Sequence, residues 1–385
     1  MTLSRRGLLA GLAMSPLRAA ERPQRIGVLT ALSGAYQDGA GQGSVLAAQM
    51  AVEDAGAAAE VLAGDMLDKP DVGLAVARAW FDRDGVDAVV DVPNSAVALA
   101  AAGLVRERNK VALFTGPGIA ALSGAACSPN HLQWTYDTGA LARTTGRAVL
   151  AAGGRRWFFI TPDYAFGHAL QADTTREIEA GGGQVVGSAL FPFPETTDFA
   201  AYLLQAEASG ADVIGLACTG AHLNTVVKQA AEFQMHARLA ALICLVTSVR
   251  AIGLQDAQGM VLSLPFYWDL TPATRAFATR FAARYGGVMP SMTQAGTYTA
   301  VLHYLRAAAG LRDGAAAVAR MKALPVSDGL FTGTVIRSTG SVAHDMHVFT
   351  VKAPGEQRYA WDYLRPERMI PAAEAFGPAQ AACVR

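Results

Sequence analysis

Short, continuous apolar runs alternate along the chain with longer Ala-rich stretches whose apolar residues recur at helical spacing. Ile26-Gly27-Val28-Leu29 precedes a helical pattern near residues 45–54. The run at 59–63 precedes one near 72–82, and Asp87-Ala88-Val89-Val90 precedes one near 96–108, with a further run at 111–114. A strand that is apolar at every position, not every second one, is covered on both faces, which predicts an α/β fold with parallel sheets. A second series opens at Trp157-Phe158-Phe159-Ile160, with helices near 167–180, 198–209 and 222–234 between strands at 184–190 and 212–217. Turn residues fall where this reading needs them, as in Arg83-Asp84-Gly85, Gly181-Gly182-Gly183 and Ser209-Gly210.

After a run at 261–264 come three helical stretches, near 272–284, 294–309 and 315–324. Strand patterns return at 333–336, 347–352 and 358–363. Two βα halves followed by helices and then more strands predict a chain that crosses between its halves more than once.

Composition narrows the function classes. Of 385 residues, 52% are apolar and 17% charged, enough apolar surface to offset the entropy of folding a two-domain chain. Lys plus Arg equal Asp plus Glu at 32 each, which removes the electrostatic case for a nucleic acid or an acidic membrane surface as partner. Residues 1–20 read as an export signal: Arg5-Arg6 stands just before the short apolar run at 8–17, the layout of a twin-arginine signal. No later run is long and apolar enough to span a bilayer, so the exported chain is expected to be soluble outside the cytoplasm.

Cys218 and Cys244 sit in apolar runs, as buried thiols do, whereas Cys127 and Cys383 lie in polar or loop-like surroundings. An oxidising compartment would let the latter two pair. A bridge and two free thiols both stay open at this level.

Catalytic constellations are sparse. The chain has no HExxH, no GxSxG elbow and no phosphate-binding Walker loop, and Gly39-Ala40-Gly41-Gln42-Gly43-Ser44 lacks the third spaced glycine of a dinucleotide loop. His344 and His347 on one strand would point to opposite faces, which argues against a metal site. No enzyme activity and no cofactor are expected. Small polar residues instead cluster at the carboxyl ends of strands, where parallel sheets place ligands. Asn94 and Ser95 end one strand and begin a helix, so they serve either as a cap alone or as a cap that also meets a ligand. Gly116 and Gly118 follow the next strand, either as a tight turn or as a close backbone approach to a ligand. Aromatic residues recur beside such ends: Tyr36, Trp134, Tyr136, Tyr164, Phe166 and the run Phe266-Tyr267-Trp268. A small-molecule cleft wants flat apolar walls with a few polar anchors.

Taken in order, Ile26 to Gly34, Asp87 to Ala98, Trp157 to Gly167, Gly210 to Ile214 and Phe266-Tyr267-Trp268-Asp269 resemble the periplasmic binding proteins of branched-chain amino acid type ABC transporters. The resemblance implies the type I periplasmic binding fold, two Rossmann-like lobes joined by a three-crossover hinge. It divides this chain into lobe 1 (24–137 and 269–326), lobe 2 (138–264 and 327–365) and a tail (366–385). It also implies a small-molecule ligand as partner, together with an ABC permease and its ATPase. By resemblance, Ser95 and the loop from Gly116 to Ile119 hold a ligand carboxylate and Phe166 forms an aromatic wall. Thr219 or Gly220, and Val246 or Thr247, would face them from the second lobe.

Two departures bear on the ligand. Relatives that bind amino acids place a carboxylate near the position of Val246 or Thr247 for the ammonium, and Leu245-Val246-Thr247-Ser248 offers none. Ile119 stands where relatives carry a hydroxyl. A buried ammonium without a partner is costly, which favours a carboxylate with an apolar or aromatic body, lined by Tyr136, Tyr164 and Phe166. An amino acid binder, or a sensor of the same fold feeding a signalling receptor, is the alternative.

Overall fold

The computed structural model describes residues 22–378 and Cys383. The expected export signal at 1–20 lies outside them. Among the described residues no helix is long and apolar enough to cross a membrane.

Two sheets organise the molecule. The first contains β1 (Gln24–Thr30), β2 (Ala59–Asp65), β3 (Ala88–Asp91), β4 (Val111–Phe114) and β5 (His131–Gln133), in the order β2-β1-β3-β4-β5, all parallel. The second contains β6 (Arg156–Pro162), β7 (Gln184–Phe191), β8 (Val213–Leu216), β9 (Arg238–Ala241) and β10 (Val261–Leu264). After the hairpin of β11 (Val335–Ile336) and β12 (Val342–Ala343), it gains β13 (Met346–Val351) and β14 (Leu364–Ile370) as antiparallel strands, β14 at the edge. The order is β14-β13-β10-β9-β8-β6-β7.

The continuous apolar runs behave as parallel-sheet physics requires: β3, β4 and β8 are buried at every position, covered by helices on both faces. The three helices after β10 return to the first sheet, where Met292–Ala307 packs along Gly41–Ala55. A β-carbon on Gly43 would lie 2.2 Å from the Gln294 amide, so glycine is what lets these helices meet so closely. The chain thus passes between the sheets after β5, after β10 and before β13. A bridge between Gln133 and Ser341 ties the β11–β12 hairpin to the end of β5.

Three sequence readings are corrected. The strand expected at 358–363 is a turn: Asp362 is buried and accepts hydrogen bonds from Lys352 and Arg358, and Trp361 adopts φ +68°. The final strand follows it, as β14. A tail boundary at 366 therefore cuts through that strand, since the sheet continues to Ile370. The strand at 333–336 shrinks to Val335–Ile336.

Cys127, in the loop between β4 and β5, is disulfide-bonded to Cys383, with Cα atoms 5.8 Å apart. Cys218 and Cys244 are free and buried.

Candidate ligand-binding cleft

In each sheet the strand order reverses once, between β1 and β3 and between β6 and β8, and the crevice outside those carboxyl ends is where open α/β sheets bind ligands. The two crevices face each other. In the first lobe the wall comes from the loop after β1, with Tyr36 and Asp38, and from Pro93 and Gly116. In the second it comes from Tyr164 and Phe166 after β6, Thr219 and Gly220 after β8, and Leu245 and Thr247 after β9. The cavity between them measures about 30 Å³.

Asp91 shapes the first-lobe side. Its carboxylate is fully buried at the end of β3 and accepts hydrogen bonds from Thr30 at 2.7 Å and Thr115 at 3.4 Å, joining the ends of β1, β3 and β4. Burial pushes its pKa up to about 6, against the pull of these hydroxyl donors. Asp91 and Val92 both have positive φ, and the sharp turn they make aims the next residues toward the cleft.

Asn94 is the helix cap, its side-chain oxygen accepting from the N–H groups of Ala96 at 2.9 Å and Val97 at 3.2 Å. Ser95 follows as the first helical residue; its hydroxyl is buried without a partner and lies off the cavity wall. Gly116 is on the wall, and any β-carbon there would lie 2.6 Å from the Pro93 Cα. Gly118 and Ile119 are not. Gly118 lies against the rings of Tyr136 and Phe166, and Ile119 packs into the first-lobe core. Tyr136 reaches the wall and donates its hydroxyl to the Gly116 carbonyl at 2.7 Å.

Of the sequence-derived candidates, then, Gly116, Tyr136, Tyr164, Phe166, Thr219, Gly220 and Thr247 line the cavity, and Asn94, Ser95, Gly118 and Ile119 do not. Asp38, Asn224, Ser248 and Thr293 line the cavity without having been singled out. Asp38 follows β1 and obeys the same strand-end rule as the others. Asn224 sits inside a helical pattern and Thr293 just before one, where nothing in the sequence distinguishes them from solvent-facing residues.

Polar atoms on the second-lobe wall lack partners. Thr219, nine-tenths buried, begins the helix Gly220–Glu232 without capping it through its side chain, and its hydroxyl and the Asn224 carbonyl oxygen make no hydrogen bond within the protein. The helices Gly41–Ala55 and Ala165–Ala180 also start at the cavity, at Ala40 and Tyr164, without a side-chain cap. Three helix N-termini without side-chain caps therefore converge here with their positive dipole ends. Among the described residues, Asp38 is the one charged side chain on the wall. Burial pushes the Tyr136 and Tyr164 hydroxyls well above the usual phenol range, so both act as neutral hydrogen-bonding groups.

The lobes also touch each other directly. The Ala221 N–H donates to the Ala35 carbonyl at 3.1 Å, so a first-lobe oxygen caps a second-lobe helix. The hydroxyls of Tyr36 and Tyr164 meet at 2.5 Å, and Phe193 stacks on both rings, with centroids 5.7 and 4.4 Å away. Beneath the loop carrying Tyr36, the Asp68 carboxyl is buried and its pKa is pushed up to about 7, chiefly by burial and further by Asp65.

Two α/β lobes closing on an aromatic cavity define a protein that captures a small solute. The chain belongs to the periplasmic binding protein family, whose profile matches residues 23–357. It is similar to a periplasmic binding protein from Burkholderia mallei, 39% identical, with 92% of this chain and 96% of that one covered and a TM-score of 0.89. A branched-chain amino acid ABC transporter periplasmic ligand-binding protein from Burkholderia xenovorans is 40% identical, with coverage of 92% and 97% and a TM-score of 0.81. An ABC transporter solute-binding protein from R. palustris, in complex with benzoate, shares the fold at 18% identity, with 90% of this chain and 96% of that one covered and a TM-score of 0.80. None of the curated proteins compared matches the chain.

Proposed function

We propose that this protein is the periplasmic capture component of an ABC importer and binds a small carboxylate-bearing solute, with an apolar or aromatic body, between its lobes. The cavity wall carries this reading. Aromatic and aliphatic side chains from both lobes face each other, the second lobe contributes hydroxyls and an amide but, among the described residues, no carboxylate, and three helix starts without side-chain caps favour negative charge. The ligand bridges the lobes and so favours the closed state by its differential affinity, and the membrane permease, driven by its ATPase, receives it from that form.

The fold alone does not choose the ligand class, because an R. palustris protein with the same fold holds benzoate and the B. xenovorans relative is of the branched-chain amino acid kind. One observation favours an amino acid as the second reading: Asp38 lines the cavity and offers an ammonium a carboxylate from the first lobe. A thermal-shift panel of aromatic acids, aliphatic acids, amides and α-amino acids separates the two, since a tight ligand raises the melting temperature by mass action. Stabilisation by aromatic acids is the expected result. Stabilisation by α-amino acids alone would transfer the assignment to the second reading.

A further inference from the structure

The cavity continues past Thr247. A second crevice of about 350 Å³ adjoins it, with Asp38 and Thr247 as common wall, and is completed by Arg250, Tyr285, Val288 and Trp361. Thr247, Arg250 and Ala251 share one face of the helix Val246–Ile252, at spacings of three and four, so this helix walls both spaces. Tyr285 and Val288 follow the helix Pro272–Arg284, which packs on the first lobe, so the crevice too lies between the lobes.

Among the described residues, Arg250 is the basic side chain that lines this crevice. Its guanidinium carbon lies 4.6 Å from the centre of the Trp361 ring. The backbone that carries this ring is tied down: the Trp361 carbonyl accepts the Tyr267 hydroxyl at 2.9 Å and the Trp268 indole N–H at 3.1 Å. Among the described residues no carboxylate lies within ion-pair distance of Arg250. A guanidinium stacked on an indole keeps its in-plane N–H fork free, and that fork matches a carboxylate in two parallel hydrogen bonds.

We propose that Arg250 is the carboxylate anchor of the ligand site: the apolar body fills the inner cavity and the carboxylate projects past Thr247 onto the Arg250 fork. This assignment rests on the ligand being an acid, as proposed above. It accounts for an inner cavity without a basic side chain, and it orients the ligand, because Asp38 on the common wall repels a carboxylate that Arg250 attracts. It also moves the anchor from the first lobe, where the resemblance puts Ser95, to the second.

The test compares an acid with its amide. Benzoate and benzamide are titrated calorimetrically into the wild type, Arg250→Gln and Arg250→Lys at low salt, with circular dichroism as the folding control. Arg250→Gln is expected to weaken benzoate at least tenfold and leave benzamide within about twofold, with Arg250→Lys in between. Equal benzoate affinity in the wild type and Arg250→Gln, or a parallel loss for benzamide, overturns the assignment. If the wild type binds phenylalanine and not benzoate, the organic-acid reading falls, and Arg250 is judged by the same comparison between phenylalanine and phenylalaninamide. A wild type that binds no carboxylate compound overturns both.

Discussion

Gly220 offers a way to impair lobe closure without touching either sheet. It sits at φ +63°, and a β-carbon there would lie 2.0 Å from the Ala35 carbonyl oxygen of the opposite lobe. Restoring an ordinary carbon–oxygen contact needs a retreat of the Ala35 loop by about 1 Å or more. That retreat breaks the Ala221–Ala35 hydrogen bond and draws Tyr36 away from Tyr164. At about 1 kcal/mol net for each bond, Gly220→Ala destabilises the closed state by about 2 kcal/mol relative to the open one, or roughly 30-fold in ligand affinity. Left-handed strain adds about 1 kcal/mol, but in both states, so it lowers the melting temperature and not the affinity. Gly56→Ala is the matched control, because Gly56 has φ +57° and nothing within 4 Å of its added carbon. Calorimetry would measure affinity for the strongest hit of the ligand panel, and small-angle X-ray scattering the ligand-induced compaction. If Gly220→Ala binds within threefold of the Gly56→Ala control and compacts to the same radius, direct contact between the lobes does not contribute to closure.

Tyr36→Phe removes one of the two hydroxyls that meet between the lobes and is expected to lower ligand affinity about fivefold, by calorimetry, with little change in the melting temperature of the unliganded protein. Replacing Cys127 and Cys383 by serine opens a cross-link between residues 256 apart and should cost about 2–4 kcal/mol in a denaturant titration; an unchanged midpoint would mean that the bridge adds nothing. The buried Asp68 carboxyl, with a folded pKa of about 7 against 3.8, retains a proton that the unfolded chain releases between about pH 4 and 7. Its contribution to stability therefore falls as pH rises through that window and levels off above it, so Asp68→Asn should gain about 2–4 kcal/mol on the wild type between pH 4 and 8. His131 and His344, buried and held down to about 4, act in the opposite sense as pH rises from 4 to 6.5, so the difference between variant and wild type isolates the carboxyl.

What was legible in the sequence follows from period and position. Apolar runs without alternation disclosed β1, β3, β4, β6 and β8, and the strand-end rule led from them to Tyr164 and Phe166, because in a parallel sheet every carboxyl end opens on the same side, whereas Thr219 and Gly220 came from the family resemblance. Depth within a loop was not legible. Gly116, Gly118 and Ile119 are neighbours in sequence, yet the chain turns inward after Gly116, so only the first reaches the cavity. Arg250 and Asn224 escaped for another reason: each lies in a helix whose exposed face becomes a wall only when a residue distant in sequence closes over it. The misplaced strand at 358–363 has a local cause, since Arg358, Tyr359 and Asp362 mimic alternation while the buried Asp362 carboxylate folds the segment into a turn.

The outermost strand of the larger sheet, β14, is a chain edge that could template another chain. Pro366 supplies no N–H to a newcomer, and Arg365, Glu367 and Arg368 line its exposed stretch with alternating charge. A β-strand docking there would have to strip water from these charges and forgo a ladder bond. The second lobe can therefore end its sheet at β14 and leave that rim open to solvent without joining sheets with copies of itself.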